Sequence, residues 1–132
     1  MKVSSGAGDF VELERINSGS GDVQITVRVR HGTFSGETEA WVAQQSWFTF
    51  AQDLTKLEEL RQGEAHLASM SPREVALVFR SLDRVGHVGV EGTIGRQAFD
   101  RNVTLRFTAF SFDPAQLVQL ARAARVISAE AG

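Results

Sequence analysis

Cysteine is absent from this sequence of 132 residues. The absence excludes a disulfide framework, a thiolate zinc site and a thiol nucleophile, and it fits a reducing compartment. Long apolar runs are also missing, since none reaches the length of a signal-peptide core or a membrane span. We therefore expect a soluble cytoplasmic protein with no membrane partner.

The sequence also lacks an excess of positive charge. The chain carries 14 Lys and Arg against 16 Asp and Glu, a net charge of −2, which argues against nucleic acid as a partner. Residues 1–66 hold six basic and ten acidic residues, and residues 67–132 hold eight and six. The acidic first half suits a basic protein partner through electrostatic steering.

Period-two alternation of apolar and polar residues predicts most of the strands. Val23, Ile25, Val27 and Val29 give the clearest case, because their polar neighbours all fall on the other face. Residues 1–9 are expected to form a loose lead-in, and residues 95–102 a polar loop. The predicted strands are 10–14, 23–30, 33–42, 64–70, 75–80, 88–90 and 103–112.

Helical spacing occurs twice. In the first helix Trp47 and Phe50 lead an apolar stripe, Ser46 or Thr49 is the expected cap, and Gly63 the expected stop. The second helix has an N-cap at Asp113, Pro114 at its first position and Gln116 completing a capping box. Its predicted core stripe is Leu117, Leu120, Ala121, Ala124 and Ile127.

The element order is therefore β-β-β-α-β-β-β-β-α, which predicts an α+β fold. Short turns between consecutive strands favour antiparallel pairing. We expect one domain over residues 1–132, built from a mainly antiparallel sheet of about six to seven strands with two helices packed on one face.

No residue pattern indicates catalysis or a cofactor. The three histidines, His31, His66 and His87, are widely separated and lack metal-ligand spacing. Glycines at 86, 89, 92 and 95 lack the Lys-Ser/Thr and the helix of a phosphate loop, so we attribute them to bulges or close backbone approach. We expect no metal, no cofactor and no enzymatic activity.

One strand face differs from an ordinary solvated surface. Glu37, Glu39 and Trp41 alternate outward from the strand 33–42, and Trp47 follows soon after. Aromatic residues beside charges are typical of interaction surfaces, so these four residues are candidate protein contacts, with the pair Glu12 and Glu14 in support. Two alternatives remain open: paired carboxylates for acid–base chemistry, and Trp41 half-buried under the first helix.

Several motifs follow one another along the chain in a recognisable order. They are Trp47-Phe48-Thr49-Phe50, Gly63-Glu64-Ala65-His66-Leu67-Ala68-Ser69, Gly86-His87-Val88-Gly89-Val90, Leu105-Arg106-Phe107 and the helix opened by Asp113. This order resembles small bacterial immunity proteins of the WapI family and related domains of unknown function. The resemblance covers residues 23–127 and implies a cytoplasmic protein that binds and neutralises a cognate toxin. It implies no catalytic residues.

Three functions thus compete at the level of sequence. The first is a non-enzymatic protein-binding domain of the immunity type. The second is a structural or regulatory domain that forms homodimers through an exposed sheet edge or face. The third is an enzyme or small-ligand binder with an unfamiliar site, which a polar pocket holding a strongly perturbed acid would favour.

Overall fold

The computed structural model describes residues 1–71, 73–98 and 101–132, and these form eight strands and two helices. The elements are β1 (Lys2–Ser4), β2 (Phe10–Arg15), β3 (Val23–His31), β4 (Phe34–Val42), α1 (Gln44–Leu60), β5 (Glu64–Ala68), β6 (Val75–Ser81), β7 (Val88–Ala98), β8 (Arg101–Phe112) and α2 (Pro114–Ala131).

The strands form two antiparallel sheets, not one. Sheet A has the order β1-β2-β3-β4 and sheet B the order β5-β6-β7-β8. The α+β class and the element order from β2 onward were predicted correctly, but the single sheet of six to seven strands was wrong. Alternation reveals a strand but not its distant partners, and the 17 residues of α1 separate the two sets of hairpins.

The segment 1–9, expected to be a loose lead-in, contains β1. Val3 pairs with Val11 of β2 and is buried. Gln116 of α2 holds β1 from the other side, because its Oε1 accepts from the Ser4 amide at 2.8 Å and its Nε2 donates to the Ser4 carbonyl at 2.9 Å. The Gln116 side chain therefore does not complete the capping box, although Asp113 caps α2 as predicted.

The ends of α1 also differ from the sequence prediction. Neither Ser46 nor Thr49 caps the helix, because the N-cap is Ala43, which has no side-chain acceptor. The acceptor comes instead from the loop before β3, where the Asp22 carboxylate accepts a hydrogen bond from the Gln44 amide at 3.0 Å. The helix stops at Arg61 in the left-handed conformation, two residues before Gly63.

The predicted polar loop 95–102 was wrong in its described part. β7 continues to Ala98 and β8 begins at Arg101, so these strands form a long hairpin. Three of the four glycines serve close approach, as expected: a Cβ on Gly89 would lie 2.8 Å from the Phe110 carbonyl, one on Gly92 2.2 Å from the Ala76 carbonyl, and one on Gly95 2.7 Å from the Arg73 carbonyl. Gly86 has no such neighbour and instead adopts a positive φ of 96° in the turn before β7. A register shift between Val90 and Gly92 marks a bulge.

Both sheets and both helices contribute to a single cluster of buried apolar residues. Where the sheets meet, the Thr38 hydroxyl on β4 donates to the Gly95 carbonyl on β7 at 2.8 Å. The Met70 amide donates to the Trp41 carbonyl at 2.8 Å, which ties the end of β5 to β4. The inner face of sheet A is thereby buried and its outer face is left to solvent.

The apolar stripe of α2 lies in this cluster, as predicted, and Leu120 is almost fully buried. We expect Leu120→Ala to lower the free energy of unfolding by about 2–5 kcal/mol, the range for a truncated core leucine. Urea unfolding of this variant measures the loss. A change below about 0.5 kcal/mol, typical of a surface substitution, would contradict the packing of α2.

Candidate functional site

The outer face of sheet A brings two glutamate pairs together. In the strand register Glu12 of β2 and Glu37 of β4 flank Arg28 of β3, and Glu14 and Glu39 flank Thr26 in the same way. These four carboxylates and Arg28 carry a formal charge of −3, which Lys2 of β1, opposite Glu12 in the strand register, reduces to −2. We call this surface, together with Trp41, the acidic face; its members are Glu12, Glu14, Arg28, Glu37, Glu39 and Trp41.

Arg28 organises the carboxylates of the acidic face. Its Nη1 lies 2.9 Å from Glu12 Oε1 and 3.1 Å from Glu14 Oε2, and its Nη2 lies 3.2 Å from Glu37 Oε1. Hydrogen bonds to Glu14 and then to Glu12 raise the pKa of Arg28 above its ordinary value. The guanidinium stays charged and holds three carboxylates in place, whereas Glu39 is not among its partners.

Trp41 lies at one end of the acidic face, opposite Gln24 in the strand register. Trp41 is 45% exposed, and the exposed residue Met70 is joined to it by a backbone hydrogen bond. Trp41 is therefore about half-buried, and the remainder of its surface is accessible. Arg30 lies at the opposite end of the outer face, so the negative charge is concentrated toward the Trp41 end.

A cleft of about 460 Å³ borders the acidic face where the two sheets meet. Glu74, from the turn before β6, adds a fifth carboxylate, and Arg96 of β7 adds a cation. The cleft extends the negative surface from sheet A toward sheet B. Its lining residues are Glu37, Thr38, Glu39, Glu74 and Arg96.

Trp47, the fourth predicted contact residue, lies in the core. It is 0% exposed, packs edge-on against Phe50 at 5.3 Å between ring centroids, and donates from Nε1 to the Ala124 carbonyl at 3.1 Å. Its helical spacing with Phe50 already indicated a buried position. Trp47 is therefore unavailable as a contact in the folded protein, and it is replaced by Arg28 and Met70, which sequence reasoning missed.

Each histidine pairs with a different carboxylate. His31 Nδ1 lies 3.3 Å from Asp9 Oδ2, His66 Nε2 lies 2.7 Å from Glu64 Oε2, and His87 contacts Asp83. The hydrogen bond from His87 lowers the pKa of Asp83, whose side chain is exposed. Over the described residues, the structure contains no group of three or more His, Cys, Asp or Glu side chains arranged to hold a metal ion.

The groove between the two helices has a different chemistry. Its volume is about 720 Å³, and Phe48 and Ala51 of α1 and Ala129 of α2 line it. Arg125 donates across it to the Thr55 hydroxyl at 2.9 Å. No carboxylate lines this groove, so it offers no acid–base pair.

In the part of the chain that the structure describes, neither helix is long and apolar enough to cross a membrane. A charged face beside a half-exposed tryptophan has features that protein-binding surfaces use, so the structure fits the class of protein-binding domains.

The comparisons with known proteins agree with this class. The model of the WapI-like immunity protein family matches residues 3–131, nearly the whole chain. The chain belongs to the WapI-like immunity protein family. No curated protein and no solved structure matches it significantly. The family resemblance stated from the motifs is confirmed, and it extends beyond the residues 23–127 that carried it.

Proposed function

We propose that this chain is a non-enzymatic immunity protein that binds and neutralises a cognate bacterial toxin through the acidic face. Membership of the WapI-like family supports the immunity role. The observation that carries the choice of surface is the arrangement of three glutamates around Arg28 beside a half-exposed Trp41. The lack of cysteine fits action in the reducing cytoplasm.

The charge of the acidic face favours a basic toxin surface. Complementary charges steer diffusional encounter and raise the association rate, and this contribution weakens as salt screens it. Arg28 adds preorganisation, because Glu12, Glu14 and Glu37 are already held in the geometry that a partner meets. Less side-chain freedom is then lost on binding.

Trp41 is the expected anchor of the interface. Tryptophan is enriched among residues that dominate binding energy, typically near the centre of a contact and surrounded by residues that exclude water. Met70 and the neighbouring glutamates of β4 supply such surroundings. The strand positions of Trp41, Glu37 and Glu39 place all three side chains on one side of β4.

The proposal is tested by capture and by protection. The tagged chain is used to capture its partner from the native host, and the partner is identified by mass spectrometry. The partner is then expressed in a heterologous host with and without this chain. We expect a protein that inhibits growth when expressed alone and is harmless when this chain is co-expressed. A captured partner without toxicity, or a toxin that still kills at equal expression, would contradict the proposal.

A further inference from the structure

The edge strand β8 of sheet B exposes unpaired backbone groups. Gly95 of β7 donates its amide toward Glu74 on the β6 side, so Gly95 and its partner Thr104 form a non-hydrogen-bonded pair. The N–H and C=O groups of Thr104, and of Arg106 two residues on, therefore point away from β7. Among the described residues, no hydrogen bond is made to these groups.

Apolar side chains flank this edge. Val103 is 68% exposed and Phe34, from the start of β4, is 73% exposed. Phe34 shares a strand face with the buried residues Ala40 and Val42, and it lies at the exposed end of that face. A groove of about 270 Å³ runs along the edge, and its lining residues are His31, Phe34, Thr104, Leu105, Arg106 and Phe107.

Natural proteins protect an unpaired edge with lysine, proline, inward-pointing charge or a covering segment. The stretch from Val103 to Phe107 contains neither lysine nor proline, and its side chains on the core side are all apolar. Arg106 is the one charge in this stretch, and it points outward. The edge is therefore suited to pairing with a further strand.

We propose that β8 pairs antiparallel with β8 of a second copy of this chain, with Leu105 facing Leu105 of the second copy across the twofold axis. In this register Thr104 of one copy faces Arg106 of the other, and the outward N–H and C=O groups of these two residues exchange hydrogen bonds. Val103 faces Phe107, so the cross-strand pairs on the core side are all apolar.

The sequence of β8 favours a second copy as the occupant. The stretch 103–107 is self-complementary in the Leu105 register, because its only charge, Arg106, meets a threonine, whereas a register centred on Arg106 would oppose two guanidinium groups. The same edge on both molecules gives a closed twofold assembly. The dimer forms through sheet B, so it leaves the acidic face of sheet A free and does not depend on the proposed toxin binding.

The oligomeric state of the full chain tests this proposal. Sedimentation velocity over a concentration series is expected to show a species of twice 14.4 kDa that dissociates on dilution. Val103→Lys is expected to raise the dimer dissociation constant at least about tenfold, equivalent to about 1.4 kcal/mol. Val85→Lys is the matched control, since Val85 is 79% exposed in the loop between β6 and β7; we expect it to dimerise like the parent chain.

Single cysteines test the register, because the native chain has none. Directly opposed residues of a non-hydrogen-bonded pair have Cα atoms about 4.5 Å apart, within disulfide range. Leu105→Cys is expected to oxidise to a covalent dimer, whereas Val85→Cys is expected to form no covalent dimer under the same conditions. A parent chain that stays monomeric at all concentrations overturns the proposal, as does equal cross-linking of the two variants. If the parent chain is monomeric and Val103→Lys loses toxin binding, the edge of β8 pairs with a strand of the toxin instead of with a second copy.

Discussion

Replacing Trp47 with alanine is expected to lower the free energy of unfolding by about 3–5 kcal/mol, the range for a large aromatic residue removed from a core. The side chain is fully buried and its indole N–H donates to the Ala124 carbonyl of α2. Truncation therefore leaves a cavity beside Phe50 and removes a hydrogen bond between the two helices. Chemical denaturation of the purified variant measures the effect.

The second tryptophan supplies the control for this experiment. Trp41→Ala removes a side chain that is nearly half exposed, and we expect it to cost less than about 1 kcal/mol of stability. Trp47→Phe should fall between the two, because it keeps an aromatic ring and loses the hydrogen bond. Equal losses for Trp47→Ala and Trp41→Ala would contradict the assignment of one tryptophan to the core and the other to the surface.

The same Trp41→Ala variant is expected to weaken toxin binding much more than it lowers stability. A tryptophan at the centre of an interface contributes at least about 2 kcal/mol when truncated, which corresponds to a dissociation constant raised about thirtyfold. Surface plasmon resonance with the captured toxin measures this change, which should lie mainly in the dissociation rate.

The outcome for Trp41 is compared with a remote exposed residue. Val85→Ala changes a side chain that is more exposed than Trp41 but lies on the β6–β7 loop, away from the acidic face. We expect its affinity for the toxin to equal that of the parent chain. If Trp41→Ala binds as tightly as Val85→Ala, Trp41 is not the anchor.

Local signals in the sequence were sufficient for most of the elements. The alternation over residues 23–30 predicted β3, and Asp113 with Pro114 predicted the start of α2, because both signals act within a few residues. The division into two sheets was not predictable in this way. It depends on pairings between distant strands and on the contacts between β4 and β7, such as Thr38 with Gly95.

The candidate site was partly predictable for the same reason. Glu37, Glu39 and Trp41 share a face through strand periodicity alone, whereas the role of Arg28 depends on the register between β2, β3 and β4. Trp47 was misplaced because its closeness in sequence to Trp41 was given more weight than its helical spacing with Phe50. Gln116 similarly fits a local capping pattern in the sequence, but in the structure its side chain forms hydrogen bonds with the backbone of Ser4 in β1.

Charge reversal tests most directly whether the acidic face binds the toxin. We compare Glu37→Lys/Glu39→Lys with Glu58→Lys/Glu59→Lys, which makes the same change in net charge near the end of α1, where cations are tolerated. The measurement is the dissociation constant for the toxin by calorimetry at two salt concentrations. We expect the β4 variant to lose at least about tenfold in affinity, or about 1.4 kcal/mol, with a weaker salt dependence. Its thermal stability should be nearly unchanged, because an exposed ion pair such as Arg28–Glu37 contributes only about 0–1 kcal/mol. The α1 variant should bind like the parent chain; equal affinity and equal salt dependence of the two variants would contradict the account.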